Sequence, residues 1–204
     1  SRYRVLKPGQ TLQVDLQRPL RVLKVEQDGE SLKFRQDGNA YFVTLTKLQQ
    51  PGQTEAITVY YAGKPRIARR PPWDSGMVWS RDKSGNWFIA TACQGLGASA
   101  WWPCKDHMYD EPDSMAISVT VPEGLIDVSN GRLRNVTTNA DHTQTYDWYV
   151  SNPINNYGVN LNIGKYEHWS ETYTGEKGPL SVDFYALRDD IDSARTQFKQ
   201  VSNM

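Results

Sequence analysis

The sequence predicts an all-β fold, a β-sandwich-like stack of antiparallel sheets with one short helix near its C-terminal end. Three observations carry this expectation. Short segments of alternating apolar and polar residues recur along most of the chain, Asp-Gly and Asn-Gly pairs punctuate several of them, and a 3.6-residue apolar period occurs only near the end. With 204 residues, 38% of them hydrophobic, the chain suffices for one globular domain or two small ones. At that length roughly 70% of the unfolded surface can be buried, so stability needs neither metal nor disulfide staples.

The elements follow in order. Leu12, Val14 and Leu16 alternate with polar residues, as in a strand with one wet face. Residues 20–25 lead to Asp28-Gly29, residues 31–34 lead to Asp37-Gly38, and residues 41–45 follow. Asp-Gly between alternating segments is a hairpin signal because both residues tolerate positive φ. Residues 56–61 supply one further strand, and together these segments read as a β-meander with one packed face. Residues 63–76 break the pattern with repeated Pro and Gly, which marks an ordered loop or linker. Arg66, Arg69 and Arg70 in this stretch suit either an anion site or, more simply, a solvated loop.

A second β region follows, with strands expected over 86–93, 115–121, 132–137, 144–150, 159–163, 166–173 and 180–186. Trp87 and Trp148, in apolar strands, are expected in the core, whereas Trp73 is the best exposed aromatic candidate. The tail is helical: Asp189 and Asp190 offer N-cap oxygens, and Ile191, Ala194, Phe198 and Val201 share one face. That stripe needs a surface to pack on, and its partner is expected to be missing. Both ends read as cut, through processing or excision from a longer chain.

Composition narrows the function classes. The 23 Lys+Arg balance 23 Asp+Glu, which argues against a nucleic-acid partner and its basic face. No apolar run approaches the 18 residues of a membrane span, and the start does not read as a signal peptide. Cys93 and Cys104 form no C-x-x-C pair and are expected as buried free thiols. His107, His142 and His168 show no metal-ligand spacing. Gly95-Leu96-Gly97-Ala98-Ser99-Ala100 matches G-x-G-x-x-A, but Trp101-Trp102-Pro103 occupies the span a phosphate-binding helix would need. The glycines instead suit a tight bend or a close backbone approach.

Asp106, Asp110, Glu111 and Asp113 cluster without the spacing of an EF-hand loop. Paired carboxylates could serve glycoside hydrolysis, and acids capping backbone amides in a turn are the simpler account. Seven Trp and eleven Tyr would suit a carbohydrate or peptide groove if exposed, and a core if buried. Residue chemistry alone therefore describes a β-rich domain without a catalytic constellation of its own.

One stretch goes further. Thr91-Ala92-Cys93-Gln94-Gly95-Leu96-Gly97, then Trp101-Trp102-Pro103-Cys104-Lys105-Asp106 and Asp110-Glu111-Pro112-Asp113-Ser114-Met115, resembles a segment of the aminopeptidase N and leukotriene hydrolase family of zinc metallopeptidases. In that family a strand bearing Gln or Glu precedes a bend and a Pro-Cys-x-Asp-(Glu-Pro) signature. A strand ending in Val-Pro follows, matched here by Val121-Pro122. Arg70-Pro71-Pro72-Trp73-Asp74-Ser75-Gly76 and Trp79 resemble the bacterial branch.

The resemblance implies that residues 1–188 form the family's N-terminal β-saddle and that 189–204 begin the connection into a catalytic domain. It implies zinc in that catalytic domain and none in this segment, because the Gly-x-Met-Glu-Asn strand, the H-E-x-x-H helix and the later Glu ligand all come downstream. The implied partners are the protein's own catalytic domain in cis and a peptide substrate with a free N-terminus. There, zinc-activated water with a general-base Glu would attack the first peptide bond.

Gln94 is the one implied substrate-binding residue. It aligns with the family's Gln/Glu that reaches into the active site and holds the substrate α-amino group, as a carbonyl acceptor holds an ammonium. A second Gln, common two positions earlier, is replaced by Ala92, and residues 105–110 lengthen the loop before Glu-Pro. Two alternatives stand beside this reading: a Trp-rich sandwich binding glycan or protein through Trp73, and a peptidase-like scaffold without activity. A bacterial periplasm or cell surface is the expected location.

Overall fold

A computed structural model describes residues 1–201, and the chain divides into two compact units. The first comprises Ser1–Val78, Thr91–Ser114 and Asn152–Asn160; the second comprises Trp79–Ala90, Met115–Ser151 and the chain from Leu161 onward. The fold is all-β, 53% strand and 9% helix, with several antiparallel sheets. No helix among the described residues is long and apolar enough to cross a membrane.

The first unit contains β1 (Arg2–Arg4), β2 (Gly9–Asp15), β3 (Arg21–Gln27), β4 (Glu30–Ser31), β5 (Lys33–Asp37), β6 (Ala40–Gln49), β7 (Thr54–Ala56) and β8 (Thr58–Ala62). They form three small sheets, β1-β7, β2-β6-β5 and β4-β3-β8, rather than the expected meander. Two local features redirect the chain. At Leu32 it leaves the β3–β4 hairpin to pair with β6, and at Ile57 the single strand expected over 56–61 splits between two sheets. Both Leu32 and Ile57 are buried, so each crossing point is pinned by core packing.

The Asp28-Gly29 hairpin forms as expected, with φ of 52° and 83° joining Gln27 to Glu30. The second turn lies one residue later than its Asp-Gly signal. Asp37 pairs with Ala40, so Gly38 and Asn39 make the turn, with Gly38 at φ 61°. Val14 and Leu16, with Tyr41, Val43 and Leu45, alternate into one core. In β3 the register slips between Val22 and Lys24, leaving Leu23 54% exposed while Val22 and Val25 both point inward. That bulge is why apolar residues three apart share a face.

The chain passes between the units within β9 (Gly76–Arg81) and β10 (Trp87–Ala92). The remaining elements are β11 (Met115–Pro122), β12 (Ile126–Ser129), β13 (Arg132–Thr138), β14 (Thr143–Val150), β15 (Leu161–Gly164), β16 (Tyr166–Gly175), β17 (Gly178–Leu187) and α1 (Ile191–Phe198). Their sheets run β12-β15-β10-β9, β11-β14-β13 and β16-β17. β9 and β12 carry no clear sequence signal. The first continues a Pro/Gly loop, and the second is four residues with an acid inside it.

Trp148 is buried as expected, but Trp87 is 41% exposed. Trp87 begins its strand, where it stacks under the Arg81 guanidinium at 3.4 Å and meets Trp79 edge-on at 5.9 Å. The tail helix also departs from expectation. Its apolar stripe has a partner, since Phe198 stacks on Phe184 at 5.4 Å and on Trp169 at 6.0 Å. Asp189 and Asp190 make no side-chain cap; they bind Ser84 Oγ and the Lys83 ammonium instead. Of the expected 189–204 tail, residues 202–204 lie outside the described residues.

Candidate functional site

Gln94 follows β10 at the start of a tight bend in the first unit, with its side chain exposed. Two contacts hold its backbone. Ser75 Oγ donates to the Gln94 carbonyl at 2.5 Å and accepts from the Leu96 N–H at 2.8 Å. Gly97 N–H closes the bend onto the Cys93 carbonyl at 2.8 Å. Ser75 is itself buried, so a single hydroxyl staples the Pro-rich loop to the bend carrying Gln94.

The Pro-rich loop is ordered by its own acid. Asp74 accepts the backbone N–H groups of Arg69 and Arg70, each at 2.7 Å. Those bonds, with Arg66 3.9 Å away, hold the Asp74 carboxyl below the usual carboxylate range. Trp73 stands on this loop 76% exposed, as expected.

The glycines of the G-x-G-x-x-A stretch serve the bend. Gly95 and Gly97 hold φ of 93° and 78°, and only one 3-10 turn, Ala98–Ala100, follows. Asp106 explains the second glycine: its carboxylate accepts the Ser99 N–H at 3.0 Å and lies where a Cβ at position 97 would be. Asp15 in turn accepts the Asp106 N–H at 3.2 Å, and Lys105 pairs with Asp110 at 2.9 Å. Of the four clustered acids, Asp106 thus caps a backbone amide of the turn, and Asp110 pairs with a lysine side chain.

The structure adds a residue the sequence did not single out. Tyr157 Oη donates to Gln94 Oε1 at 2.9 Å, across 63 positions of sequence. Tyr157 lies in a 3-10 turn, Asn156–Gly158, capped by Asn155, whose Oδ1 accepts the Gly158 N–H at 2.8 Å. Buried Asn156 anchors this turn by donating to the Lys105 carbonyl at 2.8 Å. The signal that could have found it is the Asn155-Asn156-Tyr157-Gly158 turn composition; its destination was not readable.

Ala92 is buried, so that position offers no polar contact. Cys93 and Cys104 are free and buried, and burial pushes both thiols up. Among the described residues no group of three or more His, Cys, Asp and Glu is placed to hold a metal. His168 instead meets Asp183 at 2.9 Å and stacks on Tyr185. Chemically, the bend presents a neutral amide with an oriented carbonyl oxygen, an acceptor for a cationic or N–H donor group.

No family model and no curated protein matches the chain. Solved structures do. One is an M1 zinc metallopeptidase from Deinococcus radiodurans, as a point mutant bound to a Tyr-Ser-Ala substrate: TM-score 0.76, 20% identity, 92% of this chain and 42% of that chain covered. A two-domain M1 zinc metallopeptidase mutant bound to L-arginine gives TM-score 0.77 at 21% identity, with the same coverage. The Deinococcus radiodurans enzyme without a stated mutation gives 0.74 at 20%. The likeness is one of fold, and it agrees with the resemblance carried by the segment around Gln94. The chain spans 42% of the length of these neighbours.

Proposed function

We propose that this chain is the non-catalytic N-terminal β-domain of a zinc-dependent metallo-aminopeptidase, with Gln94 helping to anchor the substrate's free amino group. The observation that carries the reading is the shared fold with M1 zinc metallopeptidases over 92% of this chain. Residues 1–188 form the domain, and 189–204 begin the connection to a catalytic domain supplied in cis. Zinc belongs to that catalytic domain, whose residues lie outside this chain. The β-domain caps the active site, and the exposed Gln94 carbonyl accepts from the substrate ammonium.

The Gln94 contacts support that role. Its backbone is held by Ser75 and its side chain is tethered by Tyr157, so the amide is placed for a ligand at little further entropic cost. The position is neutral, so recognition rests on a hydrogen bond without a formal counter-charge.

The test reads the parent frame beyond Met204 and then measures kinetics. A downstream Gly-x-Met-Glu-Asn strand and H-E-x-x-H helix with a later Glu are expected. Gln94→Ala in the whole enzyme should lower kcat/KM for free-amino peptides about 10-fold, the scale of one charge-assisted hydrogen bond. Unchanged kinetics would remove Gln94 from the site.

A second reading rests on Trp73, whose ring is displayed on a loop pinned by Asp74. It makes the chain a glycan- or protein-binding module. Saturable quenching of tryptophan fluorescence by a glycan or peptide, abolished in Trp73→Ala, would support it. A frame that continues with the zinc ligands replaced would make the parent an inactive scaffold.

A further inference from the structure

We infer that Tyr157 is a positioning residue for Gln94, holding its side-chain amide in place for a bound amino group. This rests on the proposed role of Gln94 and extends it to a second element of the fold.

The argument begins with the amide. A glutamine side chain ends in an acceptor and a donor of nearly equal size, and rotation by half a turn exchanges them. An ammonium meeting the carbonyl is held; the same ammonium meeting the NH2 is repelled. An exposed glutamine without a tether would also have to lose its rotamer freedom on meeting a ligand. In this chain the Tyr157 hydroxyl donates to Oε1 at 2.9 Å, which occupies one of that oxygen's two lone pairs and leaves the other open.

Tyr157 is equipped for this. Although 51% exposed, it sits between two fixed neighbours: Asn155 caps its turn and Asn156 ties it to the Lys105 carbonyl. The phenol therefore reaches Gln94 from a rigid base rather than from a mobile loop. The Gln94 backbone is fixed from the other side, where Ser75 Oγ donates to its main-chain carbonyl.

The geometry favours positioning over direct contact. An ammonium nitrogen about 2.9 Å from both oxygens would form a nearly equilateral triangle with them. Their directions from nitrogen would differ by about 60°, whereas its N–H bonds diverge by about 110°. Each N–H would then be bent about 25° off its oxygen, less favourable than one straight bond to Gln94 alone, so the Tyr157 hydroxyl is assigned to positioning Gln94. It also does not replace the contact that Ala92 lacks.

The test is a double-mutant cycle in the whole enzyme, with nuclear magnetic resonance of the 204-residue chain beside it. Tyr157→Phe removes only the hydroxyl from a half-exposed ring. It should shift the Gln94 side-chain amide resonances of the chain and lower kcat/KM for free-amino peptides about 2- to 10-fold, the range of one net hydrogen bond. In a Gln94→Ala background the same change should have no further effect, because the hydroxyl would have nothing left to orient.

Unshifted Gln94 resonances would overturn the contact. Equal losses in both backgrounds would mean Tyr157 acts structurally, which overturns the inference. Should Gln94→Ala be silent while the enzyme is active, the reading of Gln94 falls and the positioning role falls with it. If Gln94→Ala weakens the enzyme and Tyr157→Phe does not, only the Tyr157 role is lost.

Discussion

Asp106 occupies the space beside Gly97 that any side chain would need: a Cβ on Gly97 would collide with the Asp106 carboxylate. The same carboxylate caps the Ser99 N–H, and Gly97 holds φ 78°. Backbone conformation and side-chain contact thus make the same demand at one position.

Gly97→Ala should therefore be among the costliest single-methyl changes in the chain. With φ 78° and ψ −172° its backbone lies in a region nearly restricted to glycine, which costs an ordinary residue about 1–3 kcal/mol, and displacing Asp106 adds to it. Urea unfolding should show at least about 2 kcal/mol lost. A loss below about 0.5 kcal/mol would mean that Asp106 can step aside freely.

Ser75→Ala should loosen the Gln94 bend without dismantling the core. It deprives the Gln94 carbonyl and the Leu96 N–H of their shared partner, at a cost of about 1–2 kcal/mol. Hydrogen exchange at Leu96 should accelerate, while amides of the β2–β6 pair keep their protection relative to global stability. Unaltered exchange at Leu96 would show that the hydroxyl does not hold the bend.

Asp127 sets the expected pH dependence of stability. It is fully buried in β12, with Ser129 donating to Oδ2 at 3.1 Å and no hydrogen-bond partner for Oδ1. The Trp148 indole N–H is also unpaired; it lies near enough to favour the ionised form without closing a hydrogen bond. Burial dominates and pushes the Asp127 carboxyl up to about 6. The native state therefore binds more protons than the unfolded chain between about pH 4 and 6. Stability falls as pH rises through that window, by on the order of 3 kcal/mol, and the penalty is full above it. Asp127→Asn should raise Tm at pH 8 and have much less effect at pH 4. A gain of the same size at both pH values would exclude ionisation as the cause.

The two thiols should be silent in the native protein. Burial is the largest cause of the upward shift at both Cys93 and Cys104, and the nearby Asp106 carboxylate adds to it. An aromatic disulfide reagent at pH 8 should label neither in the folded chain and both in urea. Rapid stoichiometric labelling of the native state would mean that the bend opens readily.

Much of the fold was legible because it is written in local preferences. The Asp28-Gly29 turn, the strands of the β11-β14-β13 sheet and the strands β16 and β17 follow from alternation and turn chemistry. The misses share one cause, a tertiary contact overriding a local pattern. Trp87 reads as core but ends beneath Arg81, and Asp189 and Asp190 read as caps but bind Ser84 and Lys83. Leu32 and Ile57 sit inside continuous strand-like runs, yet each is where the chain changes sheets.

The sequence by itself determined the all-β class, the bend made possible by Gly95 and Gly97, and Gln94 as the residue of interest, the last through family resemblance. These depend on neighbours in the chain, where φ preference and side-chain alternation act over a few residues. Only the tertiary structure decided that Ser75 and Tyr157 hold Gln94 from two sides and that Asp106 fills the space beside Gly97. The Ser75 and Tyr157 contacts join segments 19 and 63 positions away, and such partners are chosen by strand register and core packing. No periodicity in the sequence encodes a partner at that distance.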